Sequence, residues 1–405
     1  MSAPRRLDEQ QTGELATASG EPARVILAYA TFILVGVSAG VGGVLLPAQI
    51  HDYGVDKATI GTTFFTFSAG FLLAGTTSGA LMQRFGTRTA LAVGGGGYLL
   101  AGLYLAVRPP FLAFVVIQLA AGYGTGILES VLNTHLAALP GATTLLNRLH
   151  AFFGVGALLG PLLAAWMLVR VPWTAVWLVL SLAGLPLLVG FLIAFPRHTP
   201  PGKDASATDP PRGGDLLAVL REPGVLLGAV FLAVYVGLEI SVGNWGFSVL
   251  VDRGQPDLVA GYIISGYWLG LTLGRFVISP TSARLGVTAV DTSFACLAGV
   301  TAGALLTWLA PGPVSGAGFV LLGFFLGPLF PTTIAVTPRL TEAPRVPTAI
   351  GVVNGVSVVG GAVFPWLAGS IAQEVGTWTL LPFSAVLSVV LLVVWWRMTR
   401  RLAPL

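Results

Sequence analysis

The sequence predicts an all-α integral membrane protein of twelve transmembrane helices, divided into two six-helix halves. The composition, the apolar runs and an internal repeat lead to this prediction. Of the 405 residues, 55% are hydrophobic and only 9% are charged, and the mean hydropathy is +0.84. Soluble domains carry about 25% charged residues, so this chain cannot cover a surface that faces water. The composition therefore excludes a soluble globular protein.

The apolar runs have the length and uniformity of membrane-spanning helices. A helix needs about 20 apolar residues to cross a bilayer, and residues 175–195, AVWLVLSLAGLPLLVGFLIAF, are apolar on every face. Strands of a membrane barrel instead alternate apolar and polar residues over about ten positions. The runs predict spans at 25–50, 58–82, 88–107, 111–139, 147–169, 173–195, 225–251, 258–280, 287–309, 315–338, 346–372 and 376–396.

Polar segments divide the chain. The largest polar break, residues 196–222, is rich in proline and mixed in charge, as linkers are. The first 24 residues are polar and lack the apolar core of a cleavable signal, so we interpret them as a disordered tail. We expect a cytoplasmic tail over 1–24, an N-terminal half over 25–195, a cytoplasmic linker over 196–222, a C-terminal half over 223–397 and a second tail over 398–405.

Basic residues set the expected orientation. With the amino terminus inside, most of the 21 Lys and Arg residues fall in cytoplasmic segments, as the positive-inside rule requires. We therefore expect a multi-pass protein of the cell inner membrane with both termini in the cytoplasm. The net charge of +4 is then an orientation signal, not a nucleic-acid-binding surface.

The two halves repeat one another in sequence. Gly61, Gly70, Arg84 and Gly86 each recur as the same residue type about 200 positions later. Repeats in the same orientation place a substrate site near the membrane midplane, between the halves.

Three charged residues lie well inside predicted spans: Glu129, Glu239 and Arg275. A charge at the bilayer centre costs about 2.5 to 3.5 kcal/mol on insertion scales. Each of the three is therefore expected to face a cavity or a partner, which makes all three functional candidates.

Glu129 lies in GILESVLNTHLAAL, with Asn133 one helical turn later. Burial disfavours the ionised form of a carboxyl group, so Glu129 is a candidate for binding and releasing a proton, and Asn133 for binding substrate. The alternative is a hydrogen-bonded glutamic acid that only holds helices together.

Glu239 is followed by Asn244 and Trp245 in AVYVGLEISVGNWGFSVLV. An acid, an amide and an indole accept and donate hydrogen bonds and stack on an apolar ring face, which suits a polyhydroxylated ligand such as a sugar. Helix contacts by Asn244 and aromatic packing by Trp245 are the alternative.

Three further residues have two interpretations each. Arg275 either gates the pathway or anchors its helix by reaching the membrane boundary. His150 is either a substrate ligand or an interfacial residue. Asn354, an amide inside the eleventh span, contacts either a ligand or another helix.

Several enzyme signatures are absent from the sequence. No Gly-x-x-x-x-Gly-Lys and no His-Glu-x-x-His occurs, which leaves ATP hydrolysis by a Walker loop and zinc proteolysis unsupported. Four histidines and one cysteine offer no clustered metal site and no disulfide. We therefore expect no enzyme activity, no cofactor, no metal and no nucleic-acid partner.

Residues from about 25 to 397 resemble the major facilitator superfamily of transporters. GALMQRFGTR, residues 79–88, is similar to the family's glycine-and-arginine latch between its second and third helices, which implies a gating role for Arg84 and Arg88. This chain has Gln83 where the family usually has aspartate, so the resemblance does not carry over the charge pair of that latch.

Within that family, LESVLNTH, LHAFFGVGALLGPL and YVGLEISVGNW resemble the fucose permease and sodium-dependent glucose transporter-like group. The resemblance implies that Glu129 is the protonatable acid of the fourth helix. The group's second acid, in the first helix, is replaced here by Gly43, so Glu129 or Glu239 alone would couple protons.

The sequence supports one leading hypothesis about function and two alternatives. The leading one is a monomeric transporter in the lipid bilayer that moves a small hydroxylated solute, most simply a monosaccharide, together with H⁺; sodium coupling and uniport stay open. The first alternative is a proton-driven exporter of an amphipathic compound. The second is a membrane sensor or assembly factor with a transporter-like body.

Overall fold

The computed structural model describes residues 4–197 and 213–402, and every element within them is helical. The N-terminal half contains α1 (Pro4–Tyr53), α2 (Lys57–Ile60), α3 (Thr62–Ala106), α4 (Phe111–Ala137), α5 (Ala142–Leu168) and α6 (Trp173–Ala194). The C-terminal half contains α8 (Pro223–Asp252), α9 (Asp257–Arg284), α10 (Ala289–Leu309), α11 (Gly312–Leu326), α12 (Leu329–Val336), α13 (Val346–Val375) and α14 (Leu380–Thr399). Between them lies α7 (Gly213–Val219), and three 3-10 helices occupy Thr337–Arg339, Ala343–Arg345 and Thr377–Thr379.

The helices of the described part of the chain make twelve crossings, which confirms the predicted fold class. Within residues 4–197 and 213–402, ten helical segments are long and apolar enough to span a membrane. One of them, Lys57–Ala106, crosses twice because Gly86 breaks it with φ 83° and ψ 161°. The more polar α9 supplies the remaining crossing, and the tenth crossing combines α11 and α12. A single glycine thus reverses the chain where a loop was expected, since only glycine adopts this φ without a steric penalty.

Two expectations about the polar segments differ from the structure. α1 begins at Pro4, so residues 4–24, expected to be a disordered tail, continue the first helix. The segment is polar as a whole, but its Arg, Leu, Glu, Gln and Ala residues have high helix propensity. The expected linker contains α7, whereas its residues 198–212 and the tail residues 403–405 lie outside the described part of the chain.

The repeat is visible in the structure, because helix backbones approach each other closely at matching glycines of the two halves. At Gly70 an added Cβ would meet the backbone of Leu119, and at Gly270 it would meet the backbone of Val320. α3 thus contacts α4 as α9 contacts α11, since glycine lets two helix backbones approach closely. Gly286 also has a positive φ, 69°, as its repeat partner Gly86 does.

Polar contacts mark the two ends of the bundle. At one end, which we call the terminal face, Arg24 Nε donates to the Ala194 carbonyl at 2.9 Å, and His135 Nε2 lies 3.0 Å from a Glu21 carboxylate oxygen. At the other end, the loop face, Trp173 Nε1 donates to Asp52 Oδ2 at 2.9 Å.

The halves contact each other toward the loop face. The backbone N–H of Lys57 donates to Gln373 Oε1 at 3.1 Å, and the rings of Phe65 and Trp366 lie 5.7 Å apart. Deeper in the bundle, Gly43 of α1 packs directly on the backbone of α8 at Gly243.

Candidate functional site

A cavity of about 360 Å³ lies between the two halves. Its lining draws on α1, α3, α4, α5 and α6 of the N-terminal half but only on α8, α9 and α13 of the C-terminal half. Aromatic side chains dominate one part of the wall, among them Phe64, Phe67, Tyr98, Phe114, Trp177 and Trp268. Polar groups are spread among them, including Gln49, Gln118, Thr125, Glu129, Ser181 and Asn244. Such a wall has apolar faces for contact and a few polar groups for orientation, as small-molecule sites do.

Glu129 is the one charged residue that the described part of the chain contributes to the lining of this cavity. It lies on α4 in register with Phe114, Gln118 and Thr125, which also line the cavity. Spacings of four, seven and four residues put these side chains on one face of the helix. Among the described residues no basic side chain forms an ion pair with Glu129. The cavity therefore holds a carboxyl group whose charge is not neutralised by a fixed protein cation.

Asn133 continues the same face of α4 toward the terminal face. Its Nδ2 donates to the Glu129 carbonyl oxygen at 2.8 Å, and it lies outside the cavity lining. The amide thus bonds to the backbone of its own helix rather than projecting into the cavity.

Neighbouring residues Asn244 and Trp245 are separated by the fold. Asn244 lines the cavity, and its Oδ1 lies 3.4 Å from the position that a Cβ on Gly42 would occupy. Trp245 lies outside the lining, where its Nε1 donates to the Pro365 carbonyl at 2.8 Å. Trp245 therefore packs between α8 and α13, as the alternative of aromatic packing predicts.

Glu239 and Arg275 pair with each other away from the cavity. Glu239 Oε1 lies 3.7 Å from Arg275 Nη2, and Glu239 is only 9% exposed. Arg275 Nε also donates to the Gly327 carbonyl at 3.3 Å, and Tyr267 OH donates to the Glu239 carbonyl at 3.0 Å. All four residues belong to the C-terminal half, so the structure pairs the buried Glu239 with the half-buried Arg275 and links α8, α9 and the end of α11.

Two other candidates lie between the cavity and the terminal face. Asn354 is exposed and precedes Val358, a lining residue, by one turn of α13. At Gly351 and Gly355, on the same side of that helix, an added Cβ would meet open space. His150 is exposed on α5 and stacks edge-on against Phe32, with ring centroids 5.7 Å apart.

The candidate gating arginines flank the break in α3. Arg84 is exposed, with its guanidinium 5.2 Å from the centre of the Phe85 ring, and Arg88 is half-buried on the other side of Gly86. Both are therefore close to the reversal of the chain that the latch motif predicts.

Several lining groups are not among the residues expected from the sequence. Gln49 and Gln118 are amides inside apolar runs, which is the same signal that singled out Asn133, Asn244 and Asn354. The sequence does not single out the lining residues Tyr98, Trp177 and Trp268, because aromatic residues are common throughout these spans. The Tyr98 hydroxyl lies 2.6 Å from Ser38 Oγ.

The chain is similar in sequence to known proteins. Bypass of stop codon protein 6 of Saccharomyces cerevisiae is 27% identical over 392 residues, covering 87% of this chain and 78% of that protein. The glucose/mannose transporter GlcP of Bacillus subtilis is 22% identical over 352 residues, covering 85% of this chain and 86% of that protein.

Solved structures with the same fold include two transporters. The nucleoside transporter NupG has a TM-score of 0.77 at 13% identity, covering 93% of this chain and 99% of that one. The Escherichia coli fucose:proton symporter FucP has a TM-score of 0.64 at 16% identity, covering 92% and 98%.

The family assignment rests on the whole chain. The sequence profile of the Major Facilitator Superfamily matches residues 27–251 and 248–404, which confirms the predicted resemblance. The members and structural neighbours of this family are membrane transporters rather than enzymes. This chain therefore belongs to the Major Facilitator Superfamily.

Proposed function

We propose that this transporter moves a monosaccharide across the cell inner membrane together with a proton. The observation that carries the proposal is the cavity between the halves, where aromatic faces, amides and hydroxyls surround a single carboxyl group. Aromatic faces suit the apolar side of a sugar ring, and amides and hydroxyls match its hydroxyl groups. The sugar transport named for GlcP and FucP supports the same substrate class.

In this proposal Glu129 is the coupling residue. A carboxyl group in a dehydrated cavity favours the neutral form, and access to water on either side favours the ionised form. Alternating exposure therefore lets Glu129 take up a proton on one side and release it on the other. Glu239 is a weaker candidate because Arg275 already neutralises it.

Asn244 is the proposed substrate contact of the C-terminal half, and Asn354 and Asn133 lie on the path between the cavity and the terminal face. The basic residues favour a cytoplasmic terminal face. Since the halves contact each other toward the loop face, solute would leave the cavity on the cytoplasmic side in this conformation.

Transport in proteoliposomes tests the proposal. We expect an inward proton gradient, with the outside more acidic than the lumen, to drive accumulation of at least one sugar among D-glucose, D-mannose, D-galactose, D-xylose and L-fucose. Glu129→Gln should abolish that accumulation while sugar counterflow, which needs no net proton movement, continues. Glu374→Gln is the matched control, because Glu374 is an exposed acid outside the cavity.

Two negative results of the transport experiment would have different consequences. Unchanged accumulation by Glu129→Gln would remove the coupling role but keep the substrate class. No flux of any of the five sugars, with pH-driven export of an amphipathic dye, would instead establish the exporter alternative, which the many aromatic lining residues favour.

A further inference from the structure

Two glutamines in the cavity lining, Gln49 on α1 and Gln118 on α4, have free side-chain amides. Neither amide forms a hydrogen bond with another described residue, and the oxygen and nitrogen of both remain accessible. Gln49 is only 4% exposed and lines the cavity, so the space that its amide reaches is the cavity itself. Buried polar groups in proteins are nearly always hydrogen-bonded. The two amides are therefore candidates for binding a polar ligand inside the cavity.

The two glutamines lie at the same level on neighbouring antiparallel helices. Tyr53 of α1 packs against Phe114 of α4, with ring centroids 5.0 Å apart. Gln49 precedes Tyr53 by four residues, and Gln118 follows Phe114 by four, which is about one helical turn in each case. Because α1 runs toward the loop face and α4 runs away from it, both steps lead from the aromatic contact into the cavity. The two amides therefore lie side by side.

Aromatic rings separate this pair of amides from the loop face. The ring of Trp173 lies 5.9 Å from the rings of both Tyr53 and Phe114, and Phe114 and Trp173 are only 2% and 3% exposed. The polar groups of these rings already have partners, since the Tyr53 hydroxyl donates to the Pro109 carbonyl and Trp173 Nε1 donates to Asp52, both at 2.9 Å. The amides thus form a polar end of the cavity beneath an aromatic cover.

We propose that the amides of Gln49 and Gln118 bind two neighbouring hydroxyl groups of the transported sugar at the loop-face end of the cavity. The inference rests on the proposed function, since the ligand is the monosaccharide named there. An amide offers an acceptor oxygen and two N–H donors, and a hydroxyl group also donates and accepts. Neither amide is charged, so a charged group bound here would lose its hydration without a counter-charge. The pair therefore favours a neutral polyhydroxylated solute over a carboxylate or an organic cation.

These contacts lie apart from the proposed coupling residue. Glu129 follows Gln118 by eleven residues of α4, which is a rise of about 16 Å along the helix. A sugar held by both amides is therefore centred near the loop face, away from the Glu129 carboxyl group. Coupling between sugar and proton then acts through movement of the helices that carry both sites, and does not require a direct contact between the sugar and Glu129.

Binding of sugar analogues to purified full-length protein tests the proposal. With the tightest binder of the five-sugar panel, we expect Gln49→Met and Gln118→Met each to weaken binding about three- to tenfold, the usual contribution of one hydrogen bond. Each loss should shrink to less than twofold for one monodeoxy analogue, because that analogue lacks the hydroxyl group that the amide binds. The two analogues should lack hydroxyl groups on neighbouring carbons of the sugar, since the amides lie side by side.

Gln255→Met is the matched control. Gln255 lies between α8 and α9, outside the cavity lining. We expect the sugar affinity of this variant to equal that of the unmodified protein. Should a methionine variant in the cavity fail to fold, Gln49→Asn or Gln118→Asn keeps the amide and withdraws it by one methylene group. The same comparison with monodeoxy analogues then applies to the asparagine variant.

The outcomes separate this inference from the proposed function. Sugar affinity unchanged within twofold in both glutamine variants, or losses that persist with every monodeoxy analogue, would overturn the amide contacts and leave the sugar transporter in place. Analogues that lack hydroxyl groups on carbons far apart in the sugar would overturn the paired contact. Absence of binding by all five sugars to the unmodified protein would instead overturn the proposed function itself.

Discussion

Gln373 of the C-terminal half accepts a hydrogen bond from the backbone N–H of Lys57 in the N-terminal half, at 3.1 Å. Lys57 is the first residue of α2, where backbone N–H groups have no partner within the helix. Asp56 accepts from a second of these groups, that of Thr59, at 2.6 Å. The start of α2 is thus shared between its own cap and the opposite half, so this contact breaks whenever the halves separate at the loop face.

The seam at Gly43 gives a first prediction. We expect Gly43→Ala to separate the halves, since its Cβ would lie 2.7 Å from Asn244 Cα, and backbone cannot move aside as a flexible side chain can. The measurement uses Ser68→Cys in a background without Cys296, with a membrane-impermeant maleimide added on the loop-face side. We expect labelling of this cavity position to accelerate several-fold.

Gly75→Ala is the control for that experiment, because an added Cβ at Gly75 meets open space. It should leave the labelling rate unchanged and stabilise the helix slightly, by about 0.4 to 1 kcal/mol. Equal labelling rates in the two variants would show that the seam does not hold the loop face closed.

The cap of α2 gives a second prediction. Asp56→Ala should speed hydrogen exchange of the Thr59 amide about fivefold, since a lost N-cap costs about 1 kcal/mol. Asp56→Asn, whose side-chain oxygen still accepts, should exchange nearly as slowly as the unmodified protein. Identical exchange in all three proteins would contradict the role of the cap.

The same cap sets a pH dependence. The hydrogen bond from Thr59 N–H holds the pKa of Asp56 below its usual value. The stabilisation is therefore complete above the ordinary aspartate pKa of about 3.9 and is lost as the pH falls through the lower folded-state pKa. The protection factor at α2, which is the exchange rate of an unfolded amide divided by the observed rate at the same pH, should fall only in that acidic range, and Asp56→Asn should show no such step.

The buried pair of Glu239 and Arg275 gives a third prediction. Arg275→Met should destabilise the protein by about 3 to 5 kcal/mol, because it leaves a buried acid without its cation. The double variant Arg275→Met with Glu239→Gln should recover much of that loss, since no uncompensated charge remains. Thermal unfolding in detergent measures both, and a double variant as unstable as Arg275→Met would show that the charge pairing is not what matters.

The polar contact at Asp52 gives a fourth prediction. Its carboxylate accepts from Trp173 Nε1 and lies 2.8 Å from Arg108 Nη2. Asp52→Ala leaves the buried Trp173 donor without its acceptor and should cost about 1 to 3 kcal/mol. Asp52→Asn keeps an acceptor and loses only a partly exposed ion pair, worth about 0 to 1 kcal/mol. Equal unfolding midpoints for the two variants would contradict this order.

Much of the fold follows from the sequence because membrane insertion depends on local composition. The twelve spans correspond to predominantly apolar runs, and Glu129 stands out because a charge within such a run is costly. The repeat is also visible in the sequence, since close helix contacts need glycine at matching positions, as at Gly70 and Gly270. Helical structure upstream of residue 25 was not expected, because a polar composition indicates exposure and does not exclude helix.

Tertiary structure alone decided which polar residues face the cavity. Glu239 and Asn244 are five residues apart on α8, so their side chains point about 140° apart. The helix is apolar around nearly its whole circumference, and its own pattern therefore does not determine which side faces inward. Packing against α1, α9 and α13 sets that rotation, which pairs Glu239 with Arg275 and turns Asn244 to the cavity. The sequence by itself determined the membrane fold and identified the charged residues whose burial in the membrane is costly. That Trp177 and Trp268 line the same cavity depends on contacts between the halves, which no local sequence pattern encodes.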